Sequence, residues 1–258
     1  MTTNFHTHTY RCKHARGTDE EYVRAAIDAG IKVLGFADHA PMPFPDGFVS
    51  KIKLTPEEGY EYVASLKELR EKYKDEIEIR IGLEAEYYPE IFEDCLKLWR
   101  ELGIEYIILG GHFTHATEWR EGFKAAKAPS DSAELVEYTD GVCEAMKKGV
   151  FTYIAHPDIL NYVGEDDQLY RECVEKLVKC ANEADMPLEI NLLGVRYGIN
   201  YPSDKFWEIV APFNPKVIIG IDAHSPLDIT NPDAKKRAFE LVEKYNLNLI
   251  SVPSFKKI

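Results

Sequence analysis

The chain has 258 residues, 45% hydrophobic and 29% charged, enough to bury a substantial core in one barrel or doubly wound domain spanning residues 1–258. Its 31 basic and 44 acidic residues give a net charge of −13, which argues against nucleic acid as a partner. A small phosphorylated substrate would need bound cations to reverse the potential locally.

No apolar run approaches membrane-spanning length, and the N-terminus lacks the charged and apolar zones of a signal peptide. Cys12, Cys95, Cys143, Cys173 and Cys180 are odd in number and include no C-x-x-C pair. A cytoplasmic protein without a membrane partner is expected.

In chain order, Asn4–His8 reads as a short strand, which puts His6 and His8 on one face because strand side chains repeat every two residues. His14 follows after a turn-length gap. Thr18-Asp-Glu-Glu21 is a capping box for a helix with Tyr22, Val23, Ala26 and Ile27 inward and Gly30 as its stop. Val33–Ala37 is an apolar run ending in Asp38-His39. Thr55-Pro-Glu-Glu58 caps the next helix, whose buried stripe is Val63, Leu66, Leu69 and Tyr73. Ile77–Leu83 reads as a strand ending in Glu84-Ala-Glu86, and Pro89–Leu102 as a helix stopped by Gly103.

Tyr106–Leu109 runs into Gly110-Gly111-His112. Ser132–Lys148 reads as a helix, Phe151–Ala155 as a strand leading to His156-Pro-Asp158, and Leu169–Ala184 as a helix. Leu188–Leu192 is a strand, Ser203 caps a short helix through Val210, Val217–Ile221 ends in Asp222-Ala-His224, and Pro232–Tyr245 is the last helix. Leu247–Val252 is an eighth strand or an irregular return.

Seven strand–helix units with near-continuous apolar strands predict a parallel sheet covered by helices. His8, His39, Glu84, His112, His156 and Asp222 all sit where an apolar run finishes, and a barrel gathers its strand ends on one face. With His6, His14 and His224 this makes a set of imidazoles and carboxylates too large for one ion, which takes about four protein ligands. Such donors select Zn, Mn or Fe over Ca or Mg. Asp38 is expected to orient a histidine and Glu86 to support the site or meet substrate; Cys12 is not counted as a ligand. A carboxylate shared between two ions, with Glu84 as the candidate, is the two-metal arrangement for attack on phosphorus or a carbonyl.

These residues carry a resemblance. His6-Thr-His8, His14, Ala37-Asp-His39, Gly82-Leu-Glu84, Gly111-His112, Ala155-His156-Pro157 and Asp222-Ala-His224 resemble the ordered motifs of the polymerase and histidinol phosphatase (PHP) family. Within that family, Gly-Gly-His112-Phe, Leu188-Glu-Ile-Asn191 and the chain length resemble the stand-alone histidinol-phosphatases.

The resemblance implies an α/β fold, a distorted (β/α)7 TIM-like barrel forming a single domain, with three divalent metal ions per chain. The first ion is expected on His6, His8, Glu84 and Asp222, the second on Glu84, His112 and His156, and the third on His14, His39 and His224. The implied reaction converts L-histidinol phosphate and water to L-histidinol and inorganic phosphate through a hydroxide between the first two ions. Glu84, Asp222, His39 and His224 are the expected catalytic members.

Arg196, just after a strand end, is the candidate phosphate clamp, because guanidinium matches phosphate oxygens bidentately. The loops Ala40–Leu54, Phe113–Ser130 and Asn161–Gln168 are candidate specificity elements. His115 is expected to line the pocket; Phe44, Phe48, Trp119, Tyr162 and Tyr197 to enclose a flat ring; and Glu118 to meet an amine.

One departure bears on the substrate: after Asp158 the chain reads Ile-Leu-Asn-Tyr-Val, with no basic residue where some histidinol-phosphatases are expected to carry one. The alternatives are another small phosphate ester, such as a nucleotide, an oligonucleotide end or a cyclic phosphate, and a metal-binding module without turnover.

Overall fold

Eight short parallel strands follow one another around the molecule in sequence order: β1 (Thr3–Asn4), β2 (Val33–His39), β3 (Glu78–Ala85), β4 (Tyr106–Leu109), β5 (Phe151–Ile154), β6 (Leu188–Asn191), β7 (Lys216–Gly220) and β8 (Asn248–Leu249). The computed structural model describes residues 1–113 and 131–258. Between the strands lie α1 (Asp19–Asp28), α2 (Pro56–Lys72), α3 (Phe92–Leu102), α4 (Ser132–Lys147), α5 (Asp167–Glu183), α6 (Leu192–Tyr197), α7 (Asp204–Val210), α8 (Pro226–Ile229) and α9 (Pro232–Tyr245). Strand followed by helix, repeated with parallel pairing, leaves both faces of each strand covered.

The barrel closes irregularly, which makes it distorted. Past β1 the chain stays beside β2, where Ala37 N donates to Thr7 O at 2.9 Å. Thr7 also bridges to Ala223, beyond β7, with His8 N donating to Ala223 O at 2.9 Å and Ala223 N donating to His6 O at 3.3 Å. At the other end of the seam β8 is interposed, pairing Asn248 with Lys216 and Leu249 with Val217. The expected strand Asn4–His8 is therefore regular only at Thr3–Asn4, because residues 5–8 are shared between two neighbours and keep no single register.

Inside the barrel Phe5, Tyr106, Ile108, Tyr153 and Ile218 form a separate apolar layer below the strand ends. Tyr106 Oη lies 2.9 Å from the carbonyl oxygens of both Phe5 and Phe36. Phe255, near the C-terminus, packs its ring 5.4 Å from Phe5 and 5.5 Å from Tyr106. The larger core lies between sheet and helices and includes the fully buried Trp99 and Trp207. Trp99 Nε1 donates to Pro41 O at 2.9 Å, tying α3 to the start of the long loop after β2.

Both capping boxes form as their sequences predict, at Thr18 with Glu21 and at Thr55 with Glu58. α3 starts at Phe92 rather than Pro89, and its N-cap Ile91 supplies no side-chain hydrogen bond, so no capping residue marked the start in the sequence. α5 begins earlier than its apolar stripe suggests, because Asp166 caps it by accepting from Leu169 N. Leu192 opens α6, a short helix within what reads as strand end and loop, capped by Asn191. No helix among the described residues is long and apolar enough to cross a membrane.

Candidate metal centre

The strand ends deliver nine side chains to one end of the barrel. His6 and His8 follow β1, His39 ends β2, Glu84 lies near the end of β3, and His112, His156 and Asp222 follow β4, β5 and β7. His14 and His224 come from the adjoining turns. Gly111, with φ 60°, supplies the left-handed residue that turns the chain after β4 and presents His112. Two such turns have no glycine: His156 sits at φ 29° and Asp222 at φ 51°. A non-glycine residue there costs on the order of 1–3 kcal/mol and persists where the surroundings hold it, most often at functional sites.

Glu84 is at the centre. Its Oε1 lies 2.9 Å from His156 Nε2, 3.6 Å from His6 Nε2 and 3.7 Å from His112 Nε2. Its Oε2 lies 3.0 Å from His39 Nδ1 and 3.4 Å from His8 Nε2. Asp222 Oδ1 lies 3.2 Å from His8 Nε2, 3.3 Å from His224 Nδ1 and 3.6 Å from His6 Nε2. Two imidazole pairs meet nitrogen to nitrogen, His6 with His8 at 3.1 Å and His14 with His224 at 3.0 Å.

The opposite nitrogens of four rings have acceptors. His6 Nδ1 lies 2.9 Å from Glu189 Oε1, His8 Nδ1 3.3 Å from Asp38 Oδ1, His112 Nδ1 2.7 Å from Glu86 Oε1, and His14 Nδ1 2.7 Å from the Cys12 carbonyl oxygen. An acceptor at Nδ1 keeps the proton there and aims the Nε2 lone pair into the cluster, the outer support that metal-ligating histidines have.

Asp38 is itself fixed, accepting from Thr9 N at 3.0 Å and His39 N at 2.8 Å. Glu86 accepts from His112 N at 2.9 Å, and Lys53 Nζ lies 3.9 Å from its Oε1. Glu189 Oε2 accepts from His156 N at 3.0 Å and Asn191 Nδ2 at 2.8 Å, and Asn191 Nδ2 also lies 3.1 Å from Asp222 Oδ2.

Three buried atoms facing this cluster make no hydrogen bond: Glu84 Oε2, Asp222 Oδ1 and His39 Nδ1. Glu84 Oε2 and His39 Nδ1 are close, but off the line a hydrogen bond needs. Buried carboxylate oxygens and ring nitrogens without partners are costly unless a cation satisfies them. Ligand atoms of His6, His8 and Glu84, of His6, His156 and Asp222, and of His8, His39 and His224 each lie within 4.8 Å of one another. The donor set fits divalent transition metals, and its size fits more than one ion. The Cys12 thiol, not expected among the ligands, groups with His14 and His224 on the same criterion.

The field is strongly anionic at the bottom of the cluster. Burial disfavours the His6 imidazolium, but Asp222, Glu189 and Glu84 outweigh it and raise the pKa to about 10. His8 and His156 are also raised against burial, by the neighbouring Asp222 and Asp38 carboxylates for His8 and by Glu84 for His156. Burial pushes the carboxyls of Glu84 and Asp222 up, yet the surrounding histidines hold both well below the ordinary range. On the outer side, burial and the neighbouring imidazoles lower His39 well below its ordinary value and His14 to about 4, leaving both neutral.

The cluster forms the floor of a cavity of about 470 Å3, within the usual range for small-molecule sites. The rest of its lining is apolar or aromatic: Ile52, Ile159, Leu193, Tyr197, Ile199 and Tyr201. Arg196 does not line this cavity. Its terminal nitrogens donate at 2.7 Å to the carbonyl oxygens of Ile221 and Asp222, and its Nε lies 3.2 Å from Asp228 Oδ1. Asp228 Oδ2 in turn accepts from His224 N at 2.9 Å.

Of the residues expected to enclose a ring, Tyr197 lines the cavity. Phe44 instead packs on Phe48 and Tyr88, and Tyr162 stacks on Tyr170. His115, Glu118 and Trp119 lie outside the described residues.

Sequence reasoning did not single out Glu189 or Asp228. A signal existed for Glu189: strand alternation in Leu188-Glu-Ile-Asn191 turns Glu189 and Asn191 to the same face.

The PHP domain profile matches residues 4–192. A probable histidinol-phosphatase of Deinococcus radiodurans is 29% identical over 228 residues, covering 87% of this chain and 86% of that protein. Another from Schizosaccharomyces pombe is 24% identical over 252 residues, covering 88% and 81%. Among solved structures, the histidinol phosphate phosphatase of Lactococcus lactis, in complex with zinc, L-histidinol and phosphate, superposes with a TM-score of 0.72 at 16% identity, covering 100% of this chain and 99% of that one. At that identity the likeness concerns the fold.

Proposed function

The chain belongs to the PHP domain family, and from that premise we propose that it is a metal-dependent phosphomonoesterase that hydrolyses L-histidinol phosphate to L-histidinol and inorganic phosphate. The observation carrying this reading is the convergence of Nε2 lone pairs on Glu84 and Asp222, whose buried oxygens Oε2 and Oδ1 have no hydrogen-bond partner. The naming of two relatives as probable histidinol-phosphatases supports the substrate, as does a small cavity suited to a compact ester. We place the protein in the cytoplasm and treat residues 1–258 as one catalytic unit.

Up to three divalent ions, of zinc, manganese or iron, are assigned to the nine residues. His6, His8, Glu84 and Asp222 would hold the first, Glu84, His112 and His156 the second, and His14, His39 and His224 the third. Bound there, the ions would supply a nucleophile from water at neutral pH and offset the charge of the phosphate oxygens.

The chain's own residues do the rest. Glu189, Asp38 and Glu86 fix the ring orientations of His6, His8 and His112. Arg196 and Asp228 brace the turn that carries Asp222 and His224. Burial and neighbouring imidazoles keep His39 and His14 neutral, the form in which an imidazole binds metal.

The test is phosphate release from histidinol phosphate and from AMP, with elemental analysis of the same protein. Two to three ions per chain, preference for histidinol phosphate and loss of turnover on chelation are expected. Glu84→Gln should lower turnover by about 100-fold or more. Metal-loaded protein that releases no phosphate from either ester would refute the assignment, and retained turnover in Glu84→Gln with a lowered melting temperature would mark the ions as structural.

A further inference from the structure

The lining of the cavity is of two kinds, the metal-type cluster and an apolar wall. Ile52, Ile159, Leu193, Tyr197, Ile199 and Tyr201 carry no charge, and among the described residues the histidines and carboxylates of the lining all belong to the cluster. Ile159 stands directly after Asp158, in the stretch where the sequence departs from the expected basic residue. Tyr201 is fixed, with its ring 5.6 Å from that of His156 and 5% of its surface exposed.

Tyr197 and Ile199 behave differently. They are 64% and 47% exposed, and they stand at the edge of this wall rather than in the core. Single exposed apolar residues are common and mean little. Here two of them, one residue apart, line the same cavity as the buried Ile159 and Tyr201 and the metal-type cluster, and exposed apolar residues in such a cavity are the kind a ligand covers.

We infer that this wall is the subsite for the alcohol half of the substrate, and that it selects an uncharged ring, with Tyr197 and Ile199 as the specificity-determining residues. The inference rests on the phosphomonoesterase reading above and deepens it: the phosphate faces the metal floor, and the ring of the ester lies against the apolar wall. Among the described residues the apolar part of the lining offers an ammonium group no counter-charge, so selection is assigned to the ring.

Four esters separate these contributions in the metal-loaded protein: histidinol phosphate (ring and amine), phenethyl phosphate (ring alone), phosphoethanolamine (amine alone) and glycerol phosphate (neither). The two ring esters should agree in kcat/KM to within about tenfold and exceed both ringless esters by about tenfold or more. In the double variant Tyr197→Ser, Ile199→Ser the preference for phenethyl phosphate over glycerol phosphate should fall by about tenfold or more, mainly through KM. Calorimetric binding of phenethylphosphonate, which is not hydrolysed, should weaken in parallel, with circular dichroism and metal content verifying the fold.

Phosphoethanolamine matching or exceeding phenethyl phosphate would overturn the inference, as would an unchanged ring preference in the double variant. Hydrolysis of none of the four esters would instead overturn the phosphomonoesterase reading and this inference with it. Ordinary turnover of all four at equal kcat/KM would leave that reading standing and overturn only the ring subsite.

Discussion

The carboxylate of Glu189 and the imidazole of His6 meet 2.9 Å apart inside the barrel, although 183 residues separate them in the chain. Neither side chain is exposed to solvent. Glu189 also receives His156 N, so one carboxylate braces the residues after β1 and β5 together. Removing it as Glu189→Ala should cost about 10–100-fold in metal affinity. Glu189→Gln keeps an acceptor for His6 and should cost less. Metal titration of the purified variants would check this, and equal affinities for Glu189→Ala and the parent would refute the bracing role.

Gly220 provides an independent route to the same contact. A Cβ at this position would lie 1.7 Å from Glu189 Oε1 and 2.4 Å from its Cδ, so alanine must drive the carboxylate away. Gly220→Ala is expected to lower stability by about 1–3 kcal/mol through overpacking and to weaken metal binding as Glu189→Ala does. Denaturant melts and metal titration measure the two effects separately.

Metal loading and pH are linked through His6. Burial opposes its proton, but Asp222, Glu189 and Glu84 raise the pKa from 6.5 to about 10 in the metal-free chain. The folded state then holds this proton more tightly than the unfolded chain does. That stabilisation is complete below pH about 6.5 and is lost as the pH rises towards about 10. A divalent ion on Nε2 replaces the proton, so loading near pH 8 should release protons into weak buffer. The gap in melting temperature between metal-loaded and chelated protein should widen from about pH 6.5 to about pH 9. A gap that narrows over this range would contradict the assignment of His6 as a ligand.

Arg196 supports the left-handed turn at Asp222 through two carbonyl oxygens and faces Asp228. Arg196→Met removes the donors to those two carbonyls and the cation facing the partly buried Asp228 carboxylate. A loss of about 2–4 kcal/mol in stability is expected, read from chemical denaturation of the metal-free protein. A change confined to phosphate inhibition, with stability intact, would instead identify Arg196 as the phosphate clamp.

The strand–helix alternation, the capping boxes at Thr18 and Thr55 and the placement of histidines at strand ends were readable from the sequence, because each depends on near neighbours in the chain. Apolar runs specify strands, local side-chain oxygens specify helix starts, and a residue at the end of a run is carried to the end of a strand. The same locality failed where no nearby signal exists. α3 starts without a capping side chain, and α6 interrupts what reads as a loop.

Tertiary structure alone decided how the barrel closes, since Thr7 and Ala223 pair although they lie 216 positions apart in the chain and only packing brings them together. It also decided that Glu189 reaches His6, that Arg196 grips the carbonyl oxygens of Ile221 and Asp222, and that Ile159, Tyr197 and Ile199 line one cavity. The physical reason is the same in each case. Sequence patterns fix which way a side chain leaves its own strand or helix, whereas hydrogen bonds and apolar contacts between distant segments depend on the curvature of the whole sheet.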